Sequence, residues 1–170
     1  ASILKSMKGD ALGHVGMKLG AKASWEGSAS SLTDLTLGND SVWHVGRAGD
    51  IRLAVLSGSN GNIHMNRGGG DLSVGSLEGK AGFSFERDAA DATRILGGTV
   101  IIDKAAAGSI VTIFTDRTGL ESAEEAVMQK VLRGLAEKLY YKGYMNGEEH
   151  ITATAVIAGG LTSASIFDTR

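Results

Sequence analysis

Residues 50–85, DIRLAVLSGSNGNIHMNRGGGDLSVGSLEGKAGFSF, decide the fold class. Short apolar runs alternate with polar residues at a period of two, which is the pattern of strands with one buried face. The alternating residues are Ile51, Leu53 and Val55 in one run, Ile63 and Met65 in the next, and Ala81, Phe83 and Phe85 in the last. The cluster SGSNG at 57–61 is a strong turn sequence, and Asn60-Gly61 is typical of hairpins. The stretch therefore predicts several short strands joined by tight turns.

The rest of the chain extends this pattern. Turn residues recur every 8–12 positions, which favours an antiparallel meander, sandwich or barrel. The two strongest apolar runs, TVIID at 99–103 and SIVTIFT at 109–115, predict a hairpin buried on both faces. Glycine accounts for 25 of 170 residues and proline for none, so the glycines are interpreted as bends and close backbone approaches in an ordered protein. No clear internal repeat is recognised.

One long amphipathic helix is predicted at about 122–142. Ser122 and Glu125 have the spacing of a capping box, and Gly143 suits a left-handed helix stop. An apolar stripe runs along the segment through Val127, Val131 and Leu135, flanked by Met128, Leu132 and Leu139. The predicted fold is α+β and mainly β, an antiparallel sandwich or barrel-like sheet with this helix. Residues 1–170 form one β-rich domain in this prediction, with an N-terminal arm or short helix at 1–13.

Composition limits the partners that we expect. The chain has 17 basic and 19 acidic residues, so broad electrostatic attraction to nucleic acid is not expected. It has no cysteine, which excludes disulfides and thiolate metal sites but leaves the compartment open. The sequence contains no run of 18 apolar residues, so no transmembrane segment is predicted. Residues 1–20 also lack the apolar block of a secretory signal.

The glycine-rich stretch HMNRGGGDLSVG, at 64–75, is the first candidate site. A phosphate-binding loop needs a helix after its glycines, with N–H groups directed at the phosphate, and here a strand pattern follows instead. The stretch is therefore interpreted as a hairpin loop that contacts a neighbouring subunit or a ligand. Its contact residues are Arg67, Gly68, Gly69, Gly70 and Asp71.

Two further groups lie after the helix. Tyr140 and Tyr141 project in different directions, so we expect one of them to face the core and the other to be exposed. The candidate contact residues here are Tyr141, Tyr144 and Met145. The densest ionisable cluster, Glu148, Glu149 and His150, is a weaker candidate for cation binding or acid–base chemistry. His14, His44 and His64 fall in predicted strands without metal-ligand spacing, and residues 86–94 read as a charged surface segment.

No local motif for a catalytic nucleophile, metal or cofactor stands out, so the sequence favours a non-enzymatic protein with no cofactor. The first hypothesis is a structural or assembly subunit that forms homo-oligomers of ring, tube or filament type, as in virions or secretion tubes. The second is a module at a cell envelope that binds an apolar or lipid-like ligand. The third is an enzyme whose active site is assembled from residues distant in sequence.

Overall fold

The computed structural model describes residues 1–145, 151–159 and 162–169. Its strands are β1 (Ser2–Ile3), β2 (Ser6–Lys8), β3 (Val15–Leu19), β4 (Ser24–Gly27), β5 (Ser31–Leu37), β6 (Val42–Val45), β7 (Ile51–His64), β8 (Leu72–Ser84), β9 (Val100–Ala105), β10 (Ile110–Thr115), β11 (Leu139–Tyr141), β12 (Thr152–Ile157) and β13 (Thr162–Ser165). Its helices are α1 (Glu125–Ala136), α2 (Lys142–Met145) and α3 (Ile166–Thr169).

The strands stack as the coils of a parallel β-solenoid. Each coil runs along one sheet face, turns a corner, runs along a second face and returns through a loop. Face one consists of β1, β3, β5, the first part of β7, the first part of β8, β9 and β11. Face two consists of β2, β4, β6, the remaining parts of β7 and β8, β10 and β12. At about 4.8 Å per strand, these seven levels span about 29 Å.

The mainly β class with one principal helix is confirmed, but the predicted antiparallel pairing is wrong. Among the pairs of named strands that the structure describes, only β12 and β13 run antiparallel. Strands β9 and β10 do not form the predicted hairpin with each other, because they are successive sides of one coil. Parallel and antiparallel strands share the same alternation of side chains, so the pattern could not distinguish them.

The corners explain why the chain turns without reversing. Residues 20–23, 38–41 and 106–109 form the same tight turn, closed by a backbone hydrogen bond from the fourth residue to the first. The third residue of each turn, Lys22, Asp40 or Gly108, has a positive φ. In the long strand β7, Asn60 with φ +85° has the corresponding role. The turn sequence at 57–61 therefore makes a corner between the two faces and not a hairpin.

The core consists of inward columns that run through the stack. On face two the column is Met7, Trp25, Trp43, Ile63, Phe83, Ile113 and Ala155. Trp25 and Trp43 are fully buried, and their rings stack with centroids 4.6 Å apart and planes 9° apart. The column on face one is Val15, Leu32, Leu53, Val74, Ile102 and Tyr141. Stacking equivalent apolar side chains gives the continuous core that a solenoid needs.

A repeat underlies the second and third coils. LGAKASW at 19–25 and LGNDSVW at 37–43 share Leu, Gly and Trp at the same offsets. The register pairs Leu19 with Leu37 and Trp25 with Trp43, a step of 18 residues on both faces. The sequence interpretation missed this repeat, since only two coils retain it and later coils have other lengths.

Helix α1 lies in the return loop between β10 and β11, and it packs on β10, β12, β13 and α3. Its buried residues Val131, Leu132 and Leu135 belong to the predicted apolar stripe. The helix is shorter than predicted, however: Glu124 is the N-cap without a side-chain cap bond, so the Ser122 capping box is wrong. The C-terminal end is also earlier, because residues 139–141 pair with β9. Residues 1–13 contain strands β1 and β2, paired with β3 and β4, in place of the predicted arm or short helix.

Candidate functional site

A groove lies on the outward side of face one. Its volume is about 430 Å³. One outward column, Arg52, Ser73, Ile101 and Tyr140, forms its floor across four levels. These residues alternate along their strands with the buried core residues Leu53, Val74, Ile102 and Tyr141. We call this surface the outer groove, and its remaining lining residues are Asp71, Gly75, Thr99, Asp103 and Lys142.

The outer groove carries charges of both signs. Lys142 Nζ lies 3.0 Å from Asp103 Oδ1, and both side chains are partly exposed. Asp71 Oδ1 accepts a hydrogen bond of 2.9 Å from the backbone N–H of Thr99. Arg52 forms no ion pair with any other residue that the structure describes. Two cations and two anions therefore balance along a groove whose floor is partly apolar.

Glycines place Asp71 at the groove. The loop side of the solenoid stacks Gly49, Gly70 and Gly98, and a Cβ at Gly70 or Gly98 would collide with the backbone of the glycine one coil below. This close approach brings the next residues within bonding distance, so the carboxylate of Asp50 accepts the Asp71 N–H at 2.9 Å. The glycine stretch is therefore the return loop between β7 and β8. The predicted hairpin is wrong, because these strands run parallel.

Tyr140 is the exposed residue of the tyrosine pair. It is 42% exposed, whereas Tyr141 is fully buried. The expectation that one ring faces the core and the other does not is confirmed, but the choice of Tyr141 as the contact residue is wrong. Tyr141 is part of the inward column of face one, and its ring lies 6.5 Å from that of Phe167.

The other predicted contacts have different outcomes. Gly68, Gly69 and Asp71 lie in the return loop with Arg67, and Asp71 alone of the predicted loop residues lines the outer groove. Residues 144 and 145 belong to α2, but the side chains of Tyr144 and Met145 lie outside the described part of the structure. The ionisable cluster Glu148, Glu149 and His150 also lies outside the described residues. The groove thus joins the glycine loop to the tyrosine segment, two regions that are far apart in the sequence.

Lys138 lies close to the Asp71 end of the groove. Its ammonium donates to the Gly97 carbonyl at 2.6 Å and lies 5.8 Å from the centre of the Phe85 ring. Partial burial lowers the pKa of Lys138 from its ordinary value, and the Asp71 carboxylate opposes that change. The cation is thus held by a carbonyl and an aromatic face, without an ion pair of its own among the described residues.

A hydrogen-bonded chain crosses the outward side of face two. His64 Nδ1 lies 2.7 Å from Ser84 Oγ, and His64 Nε2 lies 3.4 Å from Glu86 Oε2. The His44 ring is 5.7 Å from that of His64, on the neighbouring strand. Acyl transfer also needs free N–H donors for an oxyanion, and the Phe85 N–H beside Ser84 already bonds the Phe114 carbonyl. This arrangement is better described as a surface hydrogen-bond chain than as a catalytic triad.

Arg87 is a structural clamp that the sequence interpretation placed in a charged surface segment. Its side chain is only 5% exposed. The guanidinium donates to the carbonyls of Ala92, Asp116 and Thr118 at 3.1, 3.0 and 2.6 Å, and to Thr115 Oγ1 at 3.2 Å. It therefore ties the long return loop after β8 to the loop after β10.

Replacing Arg87 with alanine should lower the free energy of unfolding by about 2–4 kcal/mol, since several partly buried acceptors lose their donor. Arg87→Lys should recover only part of this loss, because an ammonium lacks the planar fork of donors. Urea denaturation measures both effects. Arg94→Ala is the matched control: Arg94 is 67% exposed with one ion pair to Asp88, so its loss should cost no more than about 1 kcal/mol. Equal losses for Arg87→Ala and Arg94→Ala would contradict the clamp.

Comparison with known proteins gives no family: no protein-family model, no curated protein and no solved structure matches this chain. Within the described ranges no helix is both long and apolar enough to cross a bilayer. In the same ranges, no three His, Asp or Glu side chains converge in a way that could hold a metal ion.

Proposed function

We propose that this protein is a non-enzymatic structural subunit that acts through contacts with further copies of itself. The proposal rests on the surface of the first level of the stack, which is formed by β1 and β2. Leu4 and Leu12 are 80% and 83% exposed there, the highest values among the large apolar residues of the described structure. Leu4 lies in the corner between β1 and β2, and Leu12 lies in the return loop after β2, so both belong to the first coil. Exposed large apolar side chains at one end of the stack favour association there.

The strands beside these leucines support the same proposal. Strands β1 and β2 pair on one side only among the described strands, with β3 and β4. An unpaired strand edge presents backbone donors and acceptors that another chain can bind. Because β1 and β2 contain only two and three residues, their backbone bonds alone would give a weak contact, and the leucines supply the apolar area.

The opposite end of the described stack differs. Helices α1 and α3 and the antiparallel strand β13 pack against the last levels there. A contact between two first levels is therefore more favourable than a head-to-tail contact. Such an isologous contact closes on itself as a two-fold dimer, which favours a dimer over the tube or filament expected from the sequence.

Sedimentation velocity over a wide range of protein concentrations tests this proposal. We expect a monomer–dimer equilibrium at micromolar concentration for the unmodified chain. The double variant Leu4→Lys/Leu12→Lys should stay monomeric, because each exposed leucine is replaced by a solvated charge. Val55→Lys/Ile110→Lys is the matched control, since both residues are 37% exposed and lie away from the first level. A strictly monomeric unmodified chain, or a double variant that still dimerises, would overturn the proposal.

A further inference from the structure

We propose that the outer groove binds a neutral oligosaccharide. The site is independent of the self-contact surface, because it lies on the outward side of face one between β7 and β11. Its floor column crosses four adjacent strands, so it extends for roughly 14 Å at the spacing of a parallel sheet. That length suits an oligomer and exceeds what a single small molecule would occupy.

The aromatic residue gives the groove a stacking surface. Tyr140 is 42% exposed although its neighbours Leu139 and Tyr141 are fully buried. A flat, partly exposed ring beside Ile101 offers an apolar platform, and the phenol adds a polar end. Pyranose rings present an apolar face of C–H groups together with a rim of hydroxyls, and this chemistry matches both parts of the platform.

The polar side chains around the platform suit hydroxyl groups. Arg52 supplies several N–H donors in one plane, and Ser73 lies next to it in the column as donor or acceptor. Asp71 is held by the Thr99 N–H through one oxygen, which leaves its second oxygen to accept from a ligand. Vicinal hydroxyls both donate and accept, so they can satisfy such a mixed set.

The balance of charge decides between ligand classes. Among the lining residues Arg52 and Lys142 oppose Asp71 and Asp103, and at the Asp71 end the nearby Lys138 is matched by the Asp50 carboxylate, so there is no excess of either sign to attract a polyanion such as nucleic acid. Four ionisable groups disfavour a lipid chain, which would leave them desolvated. The floor is a sheet face and not an edge, so a peptide could not add to it as a strand. A neutral polyol is the class that these observations favour.

Glycine keeps the groove deep. A Cβ at Gly75 would lie 2.7 Å from the Ala54 carbonyl oxygen, so a side chain there is not tolerated. Gly75 therefore leaves the groove unfilled between Ser73 on the same strand and the Lys142–Asp103 ion pair, which lies towards β9 and β11. Because every floor residue lies on a paired strand, the groove is formed before a ligand arrives and loses little conformational entropy on binding.

The test is a titration of ¹⁵N-labelled protein with cellotetraose, chitotetraose and maltotetraose in separate experiments, followed by amide chemical shifts. At least one should shift the signals of Ser73, Ile101 and Tyr140. Tyr140→Ala should weaken that binding about tenfold, the loss expected for one aromatic contact. Tyr140→Phe should keep the affinity within about twofold, because the ring is retained.

Ile110→Ala is the matched control, since Ile110 is an exposed apolar residue on β10 and lies outside the groove. It should leave the titration unchanged. A heparin-derived tetrasaccharide and dodecylphosphocholine micelles serve as the anionic and lipid probes. Three outcomes would overturn the proposal: no shift with any of the neutral tetrasaccharides, equal binding by Tyr140→Ala, or shifts in the groove with the anionic or lipid probe alone. Since sedimentation does not depend on these sugars, failure here leaves the dimer test intact.

Discussion

Replacing Trp43 with alanine should lower the free energy of unfolding by about 3–5 kcal/mol, the usual cost of deleting a buried aromatic side chain. Trp43 is fully buried in the inward column of face two, between Trp25 and Ile63. The variant loses the stacked ring pair and also leaves the Gly27 carbonyl without the indole N–H that donates to it at 3.0 Å. The cavity would lie in the middle of the stack, where neighbouring coils limit relaxation.

Urea denaturation followed by far-ultraviolet circular dichroism measures this loss. Trp43→Phe should cost less than Trp43→Ala, because it keeps part of the stacking and loses only the hydrogen bond and some volume. Tyr140→Ala, at a partly exposed position on the outward side of face one, is the control and should cost no more than about 1 kcal/mol. If Trp43→Ala lost no more than Tyr140→Ala did, the tryptophan column would not be the centre of the core.

The second large effect is expected at Gly70. Its φ of +101° strains any residue with a Cβ, and that Cβ would also collide with the backbone of Gly49 in the coil below. Gly69 has a similar φ of +109°, but a Cβ added there would have no neighbouring atom within 4 Å. The Gly69→Ala variant therefore measures the backbone strain alone, without the collision. We expect Gly69→Ala to cost about 1–2 kcal/mol and Gly70→Ala about 2 kcal/mol more.

Thermal or urea unfolding of the two alanine variants gives the difference directly. Since the residues are adjacent in the same loop, changes in the unfolded chain are nearly equal and cancel in the comparison. The difference therefore reports the close approach of successive coils at Gly49 and Gly70. Equal stabilities of the two variants would show that the coils can separate at this point without cost, which would contradict the glycine stack.

Much of the local structure could be predicted from the sequence. The period-two runs correctly locate strands such as β7, β8, β9 and β10, and the apolar stripe identifies the buried side of α1. What the pattern could not predict is how the strands pair. A residue with positive φ, such as Asn60, is equally suited to a hairpin and to a corner. The direction of the chain after the turn depends on contacts with other coils, which lie 16 to 42 residues away.

The candidate site shows the same limit. The sequence points to Asp71 through its place beside the glycines, and to the tyrosines through their place after the helix. Nothing in the sequence indicates that the two lie only two levels apart on the same face, because 28 residues separate Asp71 from Thr99 and α1 lies between Thr99 and Tyr140. The sequence interpretation expected one tyrosine to be exposed and chose Tyr141 as the contact residue, but it had no basis for distinguishing it from Tyr140. Pairing with β9 makes the segment a strand, in which alternate side chains face opposite sides.

The 18-residue step between the second and third coils makes the length of this protein adjustable in whole coils. Leu19 and Leu37 occupy equivalent places and are each followed by glycine, so a chain without residues 20–37 would pass from Leu19 to Gly38 with the same local sequence. Trp43 would then lie where Trp25 does now, and the columns on both faces would remain in register. Gain or loss of such a segment changes the height of the solenoid by about 4.8 Å while the cross-section stays the same. A solenoid built in this way can therefore change its length during evolution while the packing of its core stays the same.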